Sequence, residues 1–149
     1  MNKREIDRLL PAAYDAIQNG GFIENGKIDP AFRGQIASYG SAIANGSLLA
    51  ATAFFSKQGN ASVDRSLLMK AINQLLPQLG IPATGDTLFD TIRKHWGTTT
   101  AQHNDFTEKV LICATALKLA FNLFFLEDKN QSKDKKPAEA VQEEVGSES

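Results

Sequence analysis

The sequence lacks the residues that would cross-link a small fold or carry it into a membrane. It contains a single cysteine, Cys113, which excludes an internal disulfide and a zinc site built from several cysteines. The amino terminus has no apolar stretch typical of a secretion signal. The most apolar stretch, 110–126, includes Lys118 and Asn122 and is shorter than the about 20 apolar residues that a membrane-spanning helix needs. We therefore expect a cytoplasmic protein with no membrane partner.

Charge is unevenly distributed along the 149 residues, although the formal net charge is only −1. From position 127 to the end there are seven acidic residues and four lysines, with Val141 and Val145 as the only sizeable apolar residues. Such a segment cannot bury enough apolar surface to offset the about 1–2 kcal/mol of backbone entropy lost per ordered residue. We therefore predict one mildly basic folded domain over residues 1–127 and a disordered charged tail over residues 128–149.

The apolar residues of the folded part recur at the three- and four-residue steps of helices. The first such series is Ile6, Leu9, Ala13 and Ile17, and comparable series follow along the chain. No run of alternating β-branched residues bounded by turns occurs, which argues against a sheet. The pattern predicts an all-α protein, a compact bundle of five or six helices.

Three helix starts have a local signal, a side-chain oxygen that can accept from a free backbone N–H. Asp29 precedes Pro30, the arrangement of an N-cap followed by proline at the first helical position. Ser62 is the expected cap of the helix that follows it. Asp105 and Glu108 have the form of a capping box, and we expect that box to open the longest helix.

Proline and glycine predict where helices break. Pro77 should end or kink its helix, and Gly80 should close it. Glycines recur at positions 34, 40 and 46 inside one helical stretch. Because glycine costs about 1 kcal/mol relative to alanine inside a helix, we expect close helix–helix contacts or local breaks at those positions.

The last predicted helix is rich in phenylalanine, with Phe121, Phe124 and Phe125 on several of its sides. Two interpretations are open. Either a partner protein covers part of this apolar surface, or the other helices of the bundle cover it completely.

The sequence has no recognisable catalytic signature. The two histidines, His95 and His103, lack the further ligands of a metal site at suitable spacing. Cys113 lies on an apolar helix face with no histidine within one turn, which is typical of a small core residue rather than a nucleophile. We therefore expect no enzymatic activity, no cofactor and no metal.

Basic residues occur at the ends and on the polar faces of the predicted helices. Such residues most often form a solvated surface, but together they also suit a surface that follows a phosphate backbone. Lys57 is the first of these candidates, and its alternative role is to cap the carboxyl end of its own helix. The candidates for RNA contact are Lys57, Arg65, Lys70, Arg33, Arg93 and Lys94.

Two stretches resemble a known family. Residues 33–59, RGQIASYGSAIANGSLLAATAFFSKQG, resemble the central signature of the small α-helical subunit of type III-B (Cmr-type) CRISPR effector complexes. The matching elements are a basic-aromatic pair, an Asn-Gly step, an apolar Ala-Phe-Phe turn and a Ser-Lys pair. Phe106-Thr-Glu-Lys-Val110 and the ALKLAFNLFF that follows at 116–125 resemble the family's closing helix. Position 40 departs from the family pattern, where a proline-containing step is expected, as does Ser47, which replaces an apolar residue.

The resemblance implies a non-catalytic role in antiviral defence. Small subunits of this family stack side by side along an RNA-guided, RNA-targeting complex and help to line the channel in which target RNA pairs with guide RNA. The implied partners are other Cmr-type subunits (backbone and large subunits), further copies of the chain itself and the guide RNA–target RNA duplex. The alternative from a different class is a free-standing helical protein–protein adaptor with no RNA role.

Overall fold

The computed structural model describes residues 3–57, 62–82 and 87–135, with the side chains of 126–135 left out of the description. Six α-helices make up most of this part, which confirms the predicted all-α bundle. They are α1 (Lys3–Asn19), α2 (Ala31–Asn45), α3 (Leu48–Phe55), α4 (Ser66–Leu75), α5 (Leu88–His95) and α6 (Thr100–Lys135).

A small β-hairpin joins α1 to α2 and corrects the expectation of no sheet. Its strands β1 (Ile23–Glu24) and β2 (Lys27–Ile28) pair antiparallel, with Ile23 opposite Ile28. Asn25 and Gly26, the two residues between the strands, both have positive φ, +55° and +77°, as a tight two-residue hairpin turn requires. Strands of two residues are too short to give an alternating pattern, so periodicity missed them.

At the amino terminus of α2, Asp29 accepts from a free backbone N–H as predicted, but the helix begins one residue later than predicted. The Oδ1 atom of Asp29 accepts from the backbone N–H of Ala31 at 2.9 Å, and Pro30 lies just before the first helical residue. Of the close contacts or local breaks predicted at the three glycines, the break at Gly46 is confirmed, and the expectation for Gly34 and Gly40 is wrong. A Cβ atom added to Gly34 or Gly40 would meet nothing within 4 Å, and the helix continues through both positions to end at the third glycine, Gly46.

The start of α4 also differs from the expectation that Ser62 caps it. Asp64 does so instead, because its Oδ1 accepts from the backbone N–H of Ser66 at 3.1 Å and from the Ser66 hydroxyl at 2.6 Å. The predicted break at the other end is confirmed. The helix gives way to a 3₁₀ turn over Leu76–Leu79, which contains Pro77 and is closed by Gly80 in the left-handed conformation.

The longest helix, α6, begins earlier and ends later than predicted. Thr99 and Gln102 form the capping box: Thr99 Oγ1 accepts from the N–H of Gln102, and Gln102 Oε1 accepts from the N–H of Thr99, both at 3.1 Å. Asp105, the predicted cap, lies within the helix and pairs with Lys109 at 2.8 Å. At the far end the helix passes the predicted domain boundary at 127 and reaches Lys135. No glycine or proline interrupts 127–135, so the backbone hydrogen bond that each added residue gains offsets the entropy lost in ordering it. The rest of the predicted tail, 136–149, lies outside the described residues.

The core lies between α6 and the other helices, with its most extensive contact against α1. Phe121 of α6 is fully buried against Phe22 and Phe32, at centroid distances of 5.3 and 6.2 Å. Phe124 is half-buried and stacks on Tyr14 of α1 at 4.2 Å. Helices of the same chain therefore cover much of the phenylalanine-rich surface.

Candidate nucleic-acid interface

The segment that ends in Lys57 is the short helix α3. Its start is capped by Ser47, whose Oγ accepts from the N–H of Ala50 at 3.1 Å. Its buried residues recur at the three- and four-residue steps of one helix face: Leu48, Ala51, Thr52 and Phe55. The helix ends where Ser56 turns its hydroxyl back to the carbonyl oxygen of Thr52 at 2.7 Å. This geometry buries Phe55 and leaves its neighbour Phe54 on the outer side.

Arg65 holds the carboxyl end of α3 in place. Its Nη2 donates to the carbonyl oxygens of Phe54 and Lys57 at 3.2 and 2.9 Å, and its Nε also donates to that of Lys57 at 3.2 Å. Its guanidinium carbon lies 4.6 Å from the ring centroid of Phe54 and 4.9 Å from that of Phe55. A cation at this end also meets the negative pole of the helix dipole.

The placement of Arg65 corrects the sequence-based picture of that residue. It was expected on an exposed polar face, but the residue is only 7% exposed and precedes the first residue of α4. The sequence could not predict this, because the carbonyl groups that bind the guanidinium come from eight and eleven positions earlier. The capping role considered for Lys57 is therefore performed by Arg65.

Lys57 itself is exposed, and only its backbone carbonyl is engaged by Arg65. Beside it Phe54 is 63% exposed, the largest exposed fraction of any large apolar side chain among the described residues. We call Phe54, Phe55, Lys57 and Arg65 the α3-end cluster. It combines a solvent-facing aromatic ring, a solvent-facing ammonium group and a buried guanidinium beneath the ring. Such a combination suits an anionic ligand with planar groups.

The structure places Lys70 in a different setting. It is exposed on α4 and, with Asn19 and Gly20 at the end of α1, lines a shallow depression of about 330 Å³. This depression lies against α1, whereas the α3-end cluster is formed by α3 and the residue before α4. Lys70 therefore lies in surroundings different from those of the cluster.

Arg33, Arg93 and Lys94 are exposed as well. Arg33 reaches from α2 to α6, where its Nη1 donates to Asn122 Oδ1 at 3.1 Å and its guanidinium lies 5.2 Å from the ring centroid of Phe125. Arg93 pairs weakly with Asp90 on the same helix, α5, at 4.0 Å. The structure thus brings Lys57 and Arg65 together and places the other four candidates on other elements.

Two side chains that might carry out chemistry, Cys113 and His103, have structural contacts. Cys113 is buried in the core, and this burial raises the pKa of its thiol from 9.0 to about 12, so the thiolate needed for nucleophilic attack does not form near neutral pH. His103 stacks on Trp96 with ring centroids 3.7 Å apart, and its Nε2 lies 3.2 Å from the carbonyl oxygen of Gly97. Within the described residues no three His, Cys, Asp or Glu side chains are grouped to hold a metal ion.

Phe54 is the residue of this site that sequence reasoning missed, because it was counted only as part of an apolar helix. A helical projection of α3 gives the missing signal. Leu48, Ala51, Thr52 and Phe55 share one face, and Phe54 falls outside it. An aromatic residue that lies outside the buried face of a short helix, three residues before a lysine, therefore indicates an exposed ring close to an exposed cation.

Comparison with known proteins identifies no relative of this chain. No protein-family model matches the chain, no curated protein is found to resemble it, and no solved structure matches it. None of the helices in the described ranges is long and apolar enough to cross a membrane.

Proposed function

We propose that this chain is a non-catalytic small subunit of a CRISPR RNA-guided, RNA-targeting effector complex of the Cmr type, acting in antiviral defence. It stacks with further copies of itself and with backbone and large subunits, and it helps to line the channel that holds the guide RNA–target RNA duplex. The proposal starts from the resemblance of residues 33–59 and 106–125 to that family.

The observation that carries the RNA role is the α3-end cluster, of which Phe54, Phe55 and Lys57 lie within the first of these stretches and Arg65 lies six residues beyond it. Lys57 extends into solvent beside an exposed ring, and its own backbone is fixed by Arg65. A lysine on a fixed backbone can meet a phosphate without ordering the chain at the same time. Contact of this kind follows the backbone of the nucleic acid, and base sequence is then read by guide–target pairing.

Two measurements test the proposal: the recovery of guide RNA with the chain, and target binding by the assembled complex at several salt concentrations. For the first, the chain is tagged, the complex is purified from its source cells, and the RNA that accompanies it is sequenced. Guide RNA should be recovered. For single strands, log affinity falls with log salt by about 0.7 for each neutralised phosphate. Lys57→Glu should therefore weaken target binding and reduce the salt slope by about 0.7.

Lys118→Glu is the matched control, since it reverses the charge of an exposed lysine on α6, outside the candidate set. It should leave both the affinity and the slope unchanged. If the binding curves of wild type and Lys57→Glu superimpose at every salt concentration, Lys57 does not contact the RNA. Recovery of the tagged chain without guide RNA would contradict membership of the complex.

A second candidate function, the helical adaptor without an RNA role, is favoured by one observation. Leu119 and Leu123 lie one turn apart on α6 and are both 40% exposed, which makes a small apolar stripe. If the chain is an adaptor, Leu119→Gln with Leu123→Gln should abolish the recovery of partner proteins, and Lys57→Glu should have no effect. The effector proposal predicts that Lys57→Glu weakens target binding whatever the stripe contributes.

A further inference from the structure

Phe54 is an aromatic side chain that the fold leaves in water. Phe54 is 63% exposed, whereas Phe55, the next residue, is 3% exposed and belongs to the core. Large apolar side chains gain free energy when they leave water, so an exposed ring next to a buried one is unfavourable for the isolated fold. It suits a surface that another molecule covers.

The exposed ring is held in a fixed orientation. One contact is with the guanidinium of Arg65, 4.6 Å from the ring centroid, and another is with Phe55, edge to face at 5.6 Å. Arg65 cannot follow the ring into solvent, because it also binds the carbonyl oxygens of Phe54 and Lys57. The ring is therefore preorganised, and little side-chain entropy remains to be lost when a ligand binds it.

The charge around the ring indicates which ligand it suits. Arg65 beneath it and exposed Lys57 three positions along the chain are both cations. Asp64, the acidic residue next to Arg65 in the chain, has its Oδ1 engaged by the backbone and hydroxyl of Ser66. An aromatic platform with flanking cations matches a stacked base whose phosphate is attached to it.

We propose that Phe54 is a stacking platform for one unpaired base of single-stranded RNA, with Lys57 contacting the adjacent phosphate and Arg65 fixing the platform from below. This inference rests on the RNA role proposed above and specifies the ligand of the same cluster. It adds a base contact that is tolerant of sequence, since every base has a flat face.

The experiment uses the full-length chain and a short single-stranded RNA that carries one 2-aminopurine, a base whose fluorescence falls when it stacks. Wild type should quench this fluorescence on binding. Phe54→Leu keeps an apolar side chain but removes the aromatic face, so quenching should disappear and affinity should fall about 5- to 100-fold. Phe54→Trp should retain both the quenching and the affinity of wild type. Ile23→Ala, which changes an exposed apolar residue on β1, is the control and should behave as wild type.

The outcomes separate this inference from the proposed function. Lys57→Gln should weaken binding and flatten the salt dependence but keep the quenching at saturation. If Phe54→Leu binds and quenches as wild type does, the platform is overturned while the Lys57 contact stands. If Phe54→Leu instead leaves RNA binding intact and releases other subunits from the purified complex, Phe54 is a protein contact and the stacking proposal is wrong. If wild type binds no RNA at all, the stacking proposal is wrong as well.

Discussion

The hydroxyl groups of Tyr39 and Thr52 share a hydrogen bond of 2.7 Å in the core, and this bond joins α2 to α3. Both residues are fully buried, and the Tyr39 ring also packs on Phe55 at a centroid distance of 5.3 Å. The bond therefore contributes, with the packing of Tyr39 on Phe55, to holding α3 against α2. Since water is excluded, each hydroxyl depends on the other for a partner.

Tyr39→Phe should destabilise the protein by about 1–2 kcal/mol, because it leaves the buried Thr52 hydroxyl without this partner. Thr52→Val should cost a similar amount by leaving the tyrosine hydroxyl alone. The double variant should cost clearly less than the sum, since both polar groups are then gone. Urea unfolding of the four proteins measures this coupling. Additive losses would show that the two hydroxyls do not depend on each other.

Stability should fall as pH rises above 9.0, the ordinary pKa of the Cys113 thiol, because burial raises its folded-state pKa to about 12. Above 9.0 the unfolded chain loses the proton that the folded chain keeps, so the free energy of unfolding decreases with pH. The stability that the protonated thiol contributes is fully present below pH 9.0. Above it, the free energy of unfolding falls by up to about 1.4 kcal/mol per pH unit until the folded-state pKa is reached. Burial also raises the pKa of Tyr39 above 10.0, which adds a second loss of the same sign.

Cys113→Ala isolates the thiol. Because removing the buried sulfur also changes stability at every pH, the slopes of the free energy of unfolding against pH are compared rather than the absolute values. Above 9.0 its slope should be shallower than that of wild type by up to about 1.4 kcal/mol per pH unit. Urea unfolding in the presence of a reductant, at pH values on both sides of 9.0, measures both slopes. Equal slopes would contradict the raised pKa.

Gly34→Ala and Gly40→Ala should each stabilise the protein by about 0.5–1 kcal/mol. Both lie inside α2 with open space where a Cβ would go, and alanine loses less backbone entropy than glycine in a helix. Gly80→Ala is the matched control, because a Cβ there also meets nothing, but the backbone has φ of +89°. It should destabilise by about 1–2 kcal/mol. Thermal melting of the three variants measures these changes. A lower melting temperature for Gly34→Ala or Gly40→Ala would indicate that the glycine is needed for packing.

Thr99→Ala should destabilise the protein by about 1 kcal/mol, because it removes the side-chain oxygen that accepts from Gln102 at the start of α6. Asp105→Ala should cost less than about 0.5 kcal/mol, because its side chain is 65% exposed and only pairs with Lys109 on the helix surface. Urea midpoints of the two variants rank the two candidate caps. The reverse order would restore Asp105 as the cap.

The sequence predicts those features of the fold that are decided by residues close together in the chain. Asp29 and Gly80 make their hydrogen bonds to residues within four positions of themselves, and both signals predicted the helix end at which they act. Asp105 failed as a cap because Thr99 and Gln102 form an equally local box one turn and a half earlier. Two valid signals competed there, and sequence alone gave no reason to choose the earlier one.

The candidate site was predicted less well because it depends on contacts between distant residues. Lys57 was placed correctly as an exposed residue at the end of a helix. The burial of Arg65 depends on carbonyl groups that the fold brings to it, and no local pattern contains that information. The exposure of Phe54, by contrast, follows from the pattern of α3 itself, because the face that meets the core consists of Leu48, Ala51, Thr52 and Phe55.

The partnership of α1 with α6 has a consequence for how the protein is made. These two helices form the most extensive contact among the described residues, yet α1 is synthesised first and α6 last. A nascent chain that has produced only α1 to α5 lacks the main cover of the apolar face of α1, which includes Leu9, Ala13 and Ile17, and has only the smaller contact with α4. Since non-local contacts form only after the entropy of closing a long loop has been lost, the core closes late. Interrupted translation therefore yields fragments with exposed apolar helices, which are substrates for chaperones and proteases.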